Sequence, residues 1–344
     1  MMPKISRFRL PGLLALVLLP VAAAAADFEV LHRFTLGGEG GWDYLSYDAP
    51  THRLFISRGQ HVQVVDPRSG AVVGDIPDTP GVHGIALAPE LDKGFTSNGR
   101  DNSVSVFTAS NLKTTARIPT PQGDNPDFIA YDEGTRQVLA FNGRSHNASV
   151  IDAVGEQLVA TIALAGKPEA AVADGRGLMF IDIEDSNQLQ AIDLKTRAVV
   201  ATWPLPGCDE PAGLAMDRAT RRLFVGCHNQ TLLVVNADTG KAVARLPIGA
   251  GVDANGFDAQ RGLIFSSQAD GTLSVIQAAA ADSYKLRQTV ATARGARTMA
   301  LNAVDHEVYL VTAEFDEQPA AAGQTRPRRT VKPGSFTLLV VGEK

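Results

Sequence analysis

One short phrase recurs seven times along this chain, and no other feature narrows the choice of fold as much. It reads "YLSYDAPTHRLFIS", "GIALAPELDKGFTS", "FIAYDEGTRQVLAF", "AAVADGRGLMFI", "GLAMDRATRRLFVG", "NGFDAQRGLIFS" and "TMALNAVDHEVYLV". Aligned on Asp48, Pro89, Asp132, Asp174, Asp217, Asp258 and Asn302, the copies step by 41, 43, 42, 43, 41 and 44 residues. A second phrase follows each copy, as in "VQVVDPRSGAVVGDIP" and "LLVVNADTGKAVARLPI", and its last version, "FTLLVVGEK", is short. β-Branched runs broken by Asp, Asn and Gly read as strands and tight turns. Each unit therefore supplies four antiparallel strands, A to D.

Four-stranded units of 40 to 45 residues are the blades of a β-propeller. The expected fold is all-β, seven blades over residues 27–344, with strand A innermost. Two positions before the anchor stand Ser46, Ala130, Ala215, Gly256 and Ala300, small enough for crowding at the axis; Leu87 and Val172 are exceptions. The seventh unit lacks an outer strand. "FEVLHRFTL", Phe28 to Leu36, is an orphan strand expected to pair with Phe336 to Val341 and close the ring, hiding edges that would otherwise aggregate.

Ahead of that strand, Lys4, Arg7 and Arg9 precede an apolar run ending in Ala24-Ala25-Ala26. This pattern reads as a secretory leader, residues 1–26, and points to a periplasmic or secreted protein. Losing three cations takes the net charge from −5 to −8, which argues against bulk attraction to nucleic acid. No later apolar run is long enough to cross a membrane.

Strand alternation sorts residues by face. B–C loops and D–A connections share one end, the top. Cys208 enters blade 5 and Cys227 ends its strand B, so the hairpin across "DRAT" brings them together. In an exported protein the first reading is a disulfide. Free thiols, or a metal site completed by His228, are the alternatives.

The top also carries Arg58, the repeated "NGR" (Asn98 to Arg100 and Asn142 to Arg144) and Arg297, all from contiguous blades. These residues predict a basic arc that holds a small anion through paired hydrogen bonds. Asp43, Asp127, Glu169 and Asp253 lie on the same face. With His83, placed before an inner strand, they suit a metal ion or a proton transfer. The plainer reading is a wet, polar loop surface and a histidine bonded between blades. The segment from Ala313 to Ser335, with Arg326, Arg328, Arg329 and Lys332, is far longer than the other B–C loops and reads as a lid, a partner arm or a floppy insertion.

The repeats, most clearly "GLAMDRATRRLFVGCHNQTLLVVNADTGKAVARLPIG" and "GARTMALN", resemble the YVTN-type seven-bladed propellers, in particular bacterial exported YncE-like proteins. The resemblance covers residues 27–344 and implies a periplasmic propeller. Within that group some members bind single-stranded DNA, and others resemble propeller lactonases or haem- and quinone-linked propellers. The chain has no CxxCH haem motif, and no cofactor is expected. The expected function is a binding or scaffold module for a small anionic molecule or a periplasmic protein. The alternatives are a lactone-type hydrolase or metal- or redox-linked enzyme using His83 and carboxylates, and single-stranded DNA binding.

Overall fold

The computed structural model describes residues 27–38, 40–280, 282–318 and 328–344. The leader reading and Arg326 lie outside them. The strands form seven four-stranded antiparallel sheets. Blades 1 to 6 occupy 45–76, 82–119, 126–163, 168–204, 211–247 and 252–291 in chain order. Blade 7 is built from Met299–Asn302, Glu307–Thr312 and Thr337–Glu343, with Phe28–Thr35 as its outer strand. That strand pairs antiparallel from Phe28 opposite Glu343 to Thr35 opposite Thr337, so the ring closes as expected. No helix among the described residues is long and apolar enough to cross a membrane.

The anchors work as turn residues. Asp132 accepts from the Thr135 backbone N–H, Asp217 from Ala219, Asp258 from Gln260 and Asn302 from Val304. Each short side chain thus caps the A–B turn that follows it. Blade 2 corrects the alignment. Ala88 pairs with Lys93 as Asp48 pairs with Arg53, while Pro89 opens a 3-10 turn. A proline has no N–H for the ladder and suits the turn's first position. The equivalent residue is therefore Ala88, not Pro89.

Most of the small inner residues face an aromatic ring, although Ala130 faces Leu139. Ser46, Ala215 and Gly256 lie opposite Phe55, Phe224 and Phe265, and Ala300 opposite Tyr309. In blade 2 the pair is Ala86 and Phe95, so Leu87 is no longer an exception. Val172, opposite Phe180, remains one. These rings are fully buried between blades. Each contributes about 1.5–3 kcal/mol through its burial. Phe180, Leu214 and Val225, for example, share one cluster spanning blades 4 and 5.

Cys208 and Cys227 form a disulfide, with Cα atoms 5.3 Å apart. Cys227 is paired with Pro211, the first residue of the inner strand, which places Cys208 beside it. The free-thiol and Cys-ligated metal readings therefore do not apply.

Candidate functional site

Corrected for blade 2, the residues five places before each anchor are Asp43, His83, Asp127, Glu169, Ala212, Asp253 and Arg297. They stand one per blade at the entry to the innermost strand. Six of the seven are polar or charged, and they form the rim of the channel mouth. Next inward come Tyr44, Gly84, Phe128, Ala170, Gly213 and Ala254, which line a channel cavity of about 210 Å³. The Tyr44 and Phe128 rings meet edge-on at 5.2 Å, and the Tyr44 hydroxyl reaches within 3.5 Å of Glu169. Tyr44 thus crosses from blade 1 toward blade 4 and floors the mouth. Nothing in a single repeat marked Tyr44 or Phe128; only superposing the blades places them in one ring.

His83 Nδ1 is 2.8 Å from Asp43 Oδ2 and 3.6 Å from Asp127 Oδ1. Donor atoms of these three residues all lie within 4.8 Å of one another. Burial alone pulls His83 down, but the Asp43 hydrogen bond and the charges of Asp127, Asp43 and Glu169 outweigh it and raise the imidazole above its ordinary value. Asp127 is also raised, by burial first and against the pull of His83.

The other two carboxylates have cations of their own. Lys167 Nζ lies 3.1 Å from Glu169 Oε2 and also bonds Glu184. Arg297 Nε lies 3.3 Å from Asp253 Oδ2. Burial, with the charge of Asp127, pushes Glu169 up to about 8; burial pushes Asp253 up to about 6. Tyr44 is raised well above its ordinary value by burial and by Glu169, Asp127, Asp43 and Asp253. Four carboxylates therefore converge on one phenol.

The basic arc does not converge. Arg58 is buried with its guanidinium 3.6 Å over the Phe336 ring, in the wall between blades 7 and 1, and burial lowers it to about 10. Asn98 is buried and bonds Ser103 and Ser105, and Asn142 likewise bonds Asn147 and Ser149. Each braces its own B–C turn. Arg100 is exposed, and Arg144 is exposed with Asp124 3.9 Å away. The reason is positional: B–C loops sit one strand out from the axis, whereas residues before strand A face it. Of the four arginines, Arg297 alone occupies a rim position. His228 stays outside the rim, 2.9 Å from Glu210 and close to Glu184.

The long segment of blade 7 contributes a pair of strands. Phe315–Gln318 pairs with Arg328–Val331 as a hairpin, and Lys332 pairs with Glu314 at 2.7 Å.

Fold and sequence together define a seven-bladed β-propeller with a polar channel mouth. Its distant relatives include YncE of Salmonella typhi and YncE of Salmonella typhimurium, both uncharacterized proteins, each 22% identical over 207 residues. That match covers 58% of this chain and 58% of the relative, so the chain spans little more than half the length of the curated relatives it matches. No family model matches the chain. Among solved structures, Kuenenia stuttgartiensis hydrazine synthase aligns at TM-score 0.68 and 16% identity, over 78% of this chain and 92% of that one. U3-55K aligns at TM-score 0.73 and 10% identity, over 91% of this chain and 98% of that one. These likenesses concern the fold alone.

Proposed function

We propose that the chain is an exported ligand-binding propeller that holds a divalent cation at the mouth of its channel. The observation that carries this reading is the grouping of Asp43, His83 and Asp127 within 4.8 Å, one from each of three adjacent blades. At ion-pair distance Glu169 already has Lys167 and Asp253 has Arg297, whereas among the described residues Asp43 and Asp127 share a single histidine. Two carboxylate oxygens and one imidazole nitrogen suit Mn²⁺, Fe²⁺ or Zn²⁺. Three protein ligands leave coordination positions for a second molecule above Tyr44. This replaces the small anion as the ligand of the mouth, because three of the four arginines expected to hold that anion lie elsewhere and the fourth, Arg297, is paired with Asp253.

The test is equilibrium dialysis of chelator-treated protein against Mn²⁺ and Zn²⁺. One ion per chain is expected, and uptake should be lost when Asp43→Asn and Asp127→Asn together remove two of its three ligands. No uptake by the unaltered protein overturns the reading. The Asp43–His83 hydrogen bond is also the pair a general base requires. Turnover of esters or lactones that survives chelation and is lost in His83→Ala would favour a hydrolase instead.

A further inference from the structure

Outside the mouth, on the same face, a cavity of about 990 Å³ opens beneath the hairpin of blade 7. Its volume lies at the upper end of the range for small-molecule sites, roughly 300–1,000 Å³. Two kinds of wall meet in it. Trp42, Phe315 and Val331 make an apolar side, and Arg33, Arg294 and Arg297 a cationic one. Among the described residues Glu314 is the one carboxylate of the lining, and Lys332 already holds it.

The apolar side is a file of rings running from solvent to core. Phe315 is 38% exposed and lies 5.9 Å from Trp42, which lies 5.2 Å from Phe336. The Arg58 guanidinium stacks over the Phe336 ring at 3.6 Å. The Phe315 ring lies against Gly295, where an added Cβ would be in ordinary contact with it at 3.6 Å. The hairpin therefore leans over the connection from blade 6 to blade 7, where Arg294 and Arg297 stand. An exposed ring that shares a cavity with exposed guanidinium groups is matched by a ligand with a flat apolar body and a negative end.

From this geometry we infer that the cavity is a second ligand site, specific for a small aromatic anion such as a carboxylate or sulfonate. The ring of the ligand lies against Trp42 and Phe315, and its anionic group faces Arg294, with Arg33 and Arg297 behind. Arg297 stands between the two sites, since it also pairs with Asp253 at the rim. The inference does not depend on a cation in the mouth.

The experiment titrates the full chain with anilinonaphthalene sulfonate and, separately, with phenylnaphthylamine, which has the same aromatic body without the charge. Saturation at one sulfonate per chain is expected, with the neutral probe about tenfold weaker. Arg294→Ala should weaken the sulfonate about five- to tenfold and leave the neutral probe unchanged, while Phe315→Ser should weaken both. Both residues are exposed, so the variants fold, and an unchanged melting temperature checks this. Equal affinity for the two probes, or sulfonate binding within twofold in both variants, overturns the proposal. Asp43→Asn with Asp127→Asn must leave sulfonate binding intact, which separates failure here from failure at the mouth.

Discussion

The backbone N–H of Phe28 donates to Gln288 Oε1 at 2.9 Å, and Gln288 Nε2 donates back to the Phe28 carbonyl at 2.9 Å, across 260 positions of sequence. The outer strand of blade 6 thereby grips the outer strand of blade 7. The Phe28 ring completes the lock by packing edge-on against Phe265 at 5.3 Å. Ring closure therefore rests on a side chain in the neighbouring blade as well as on the strand ladder. Phe28→Ala should lower unfolding free energy by about 3–5 kcal/mol, read from urea melts. Deleting Phe28 to Thr35 should expose the edge of Thr337–Glu343 and promote aggregation; a soluble deletion with unchanged melting would sink the closure argument.

The disulfide should be a measurable staple. Cys208 and Cys227 close a loop with a sequence separation of 19, and both are buried. Replacing both by Ser should cost roughly 3 kcal/mol by the chain-entropy model. Thiol counting on denatured, unreduced protein tests the bond itself, and two free thiols in oxidised material would refute it.

Asp182 predicts a gain. It is fully buried in strand B of blade 4, and neither carboxyl oxygen has a hydrogen-bond partner among the described residues. The matching positions in blades 2 and 6 hold Ser97 and Ser267, which donate to the carbonyls of Asp127 and Arg297 in the next blade. An unfolded Asp titrates near 3.9. Burial, and then the charge of Glu169, holds Asp182 well above the usual carboxylate range. The folded state thus keeps a proton that the unfolded chain releases. The stability from this group is complete below about pH 4 and falls as pH rises toward the folded value. Asp182→Ser should remove that slope and stabilise the protein by about 1–3 kcal/mol at pH 8. Urea midpoints at pH 5 and 8 should show the gap between variant and parent widening with pH; a constant gap would count against it.

The arginines away from the rim should separate into a buried brace, Arg58, and two exposed groups, Arg100 and Arg144. Arg58→Ala removes the cation stacked on Phe336 and leaves a hole between blades, so it should cost about 2–4 kcal/mol. Arg100→Ala with Arg144→Ala should change stability by less than about 0.5 kcal/mol. Cation uptake at the mouth should be unaffected by all three changes. If the double substitution weakens that uptake, the exposed arginines have a part in the site that their position does not suggest.

Much of this architecture could be read from the chain. The Asx-capped turns recur at almost even steps, so strand count, blade count and the role of the orphan strand follow from local chemistry that each repeat carries within itself. The disulfide follows too, because both cysteines belong to one hairpin. Pro89 misled the alignment by one residue because it resembles an anchor in sequence while acting as the start of a turn.

The composition of the site was less accessible. Spacing places Asp43, His83, Asp127, Glu169, Asp253 and Arg297 on the top face, but so it does Arg58, Asn98, Arg100, Asn142, Arg144 and His228. Sequence assigns a face; it does not assign a radius. Whether a top residue meets the axis depends on which strand it adjoins and on how the ring closes. The tertiary structure puts residues before strand A at the mouth and those after strand B farther out, and so turns an expected basic arc into a mainly acidic rim. It also brings Tyr44 of blade 1 to Glu169 of blade 4, a contact set by the closed ring's curvature, which no single repeat encodes. The repeat determined what each blade is, from turn chemistry and strand alternation alone. Closure of seven blades around one axis decided which side chains face each other there, because that distance is a property of the whole ring.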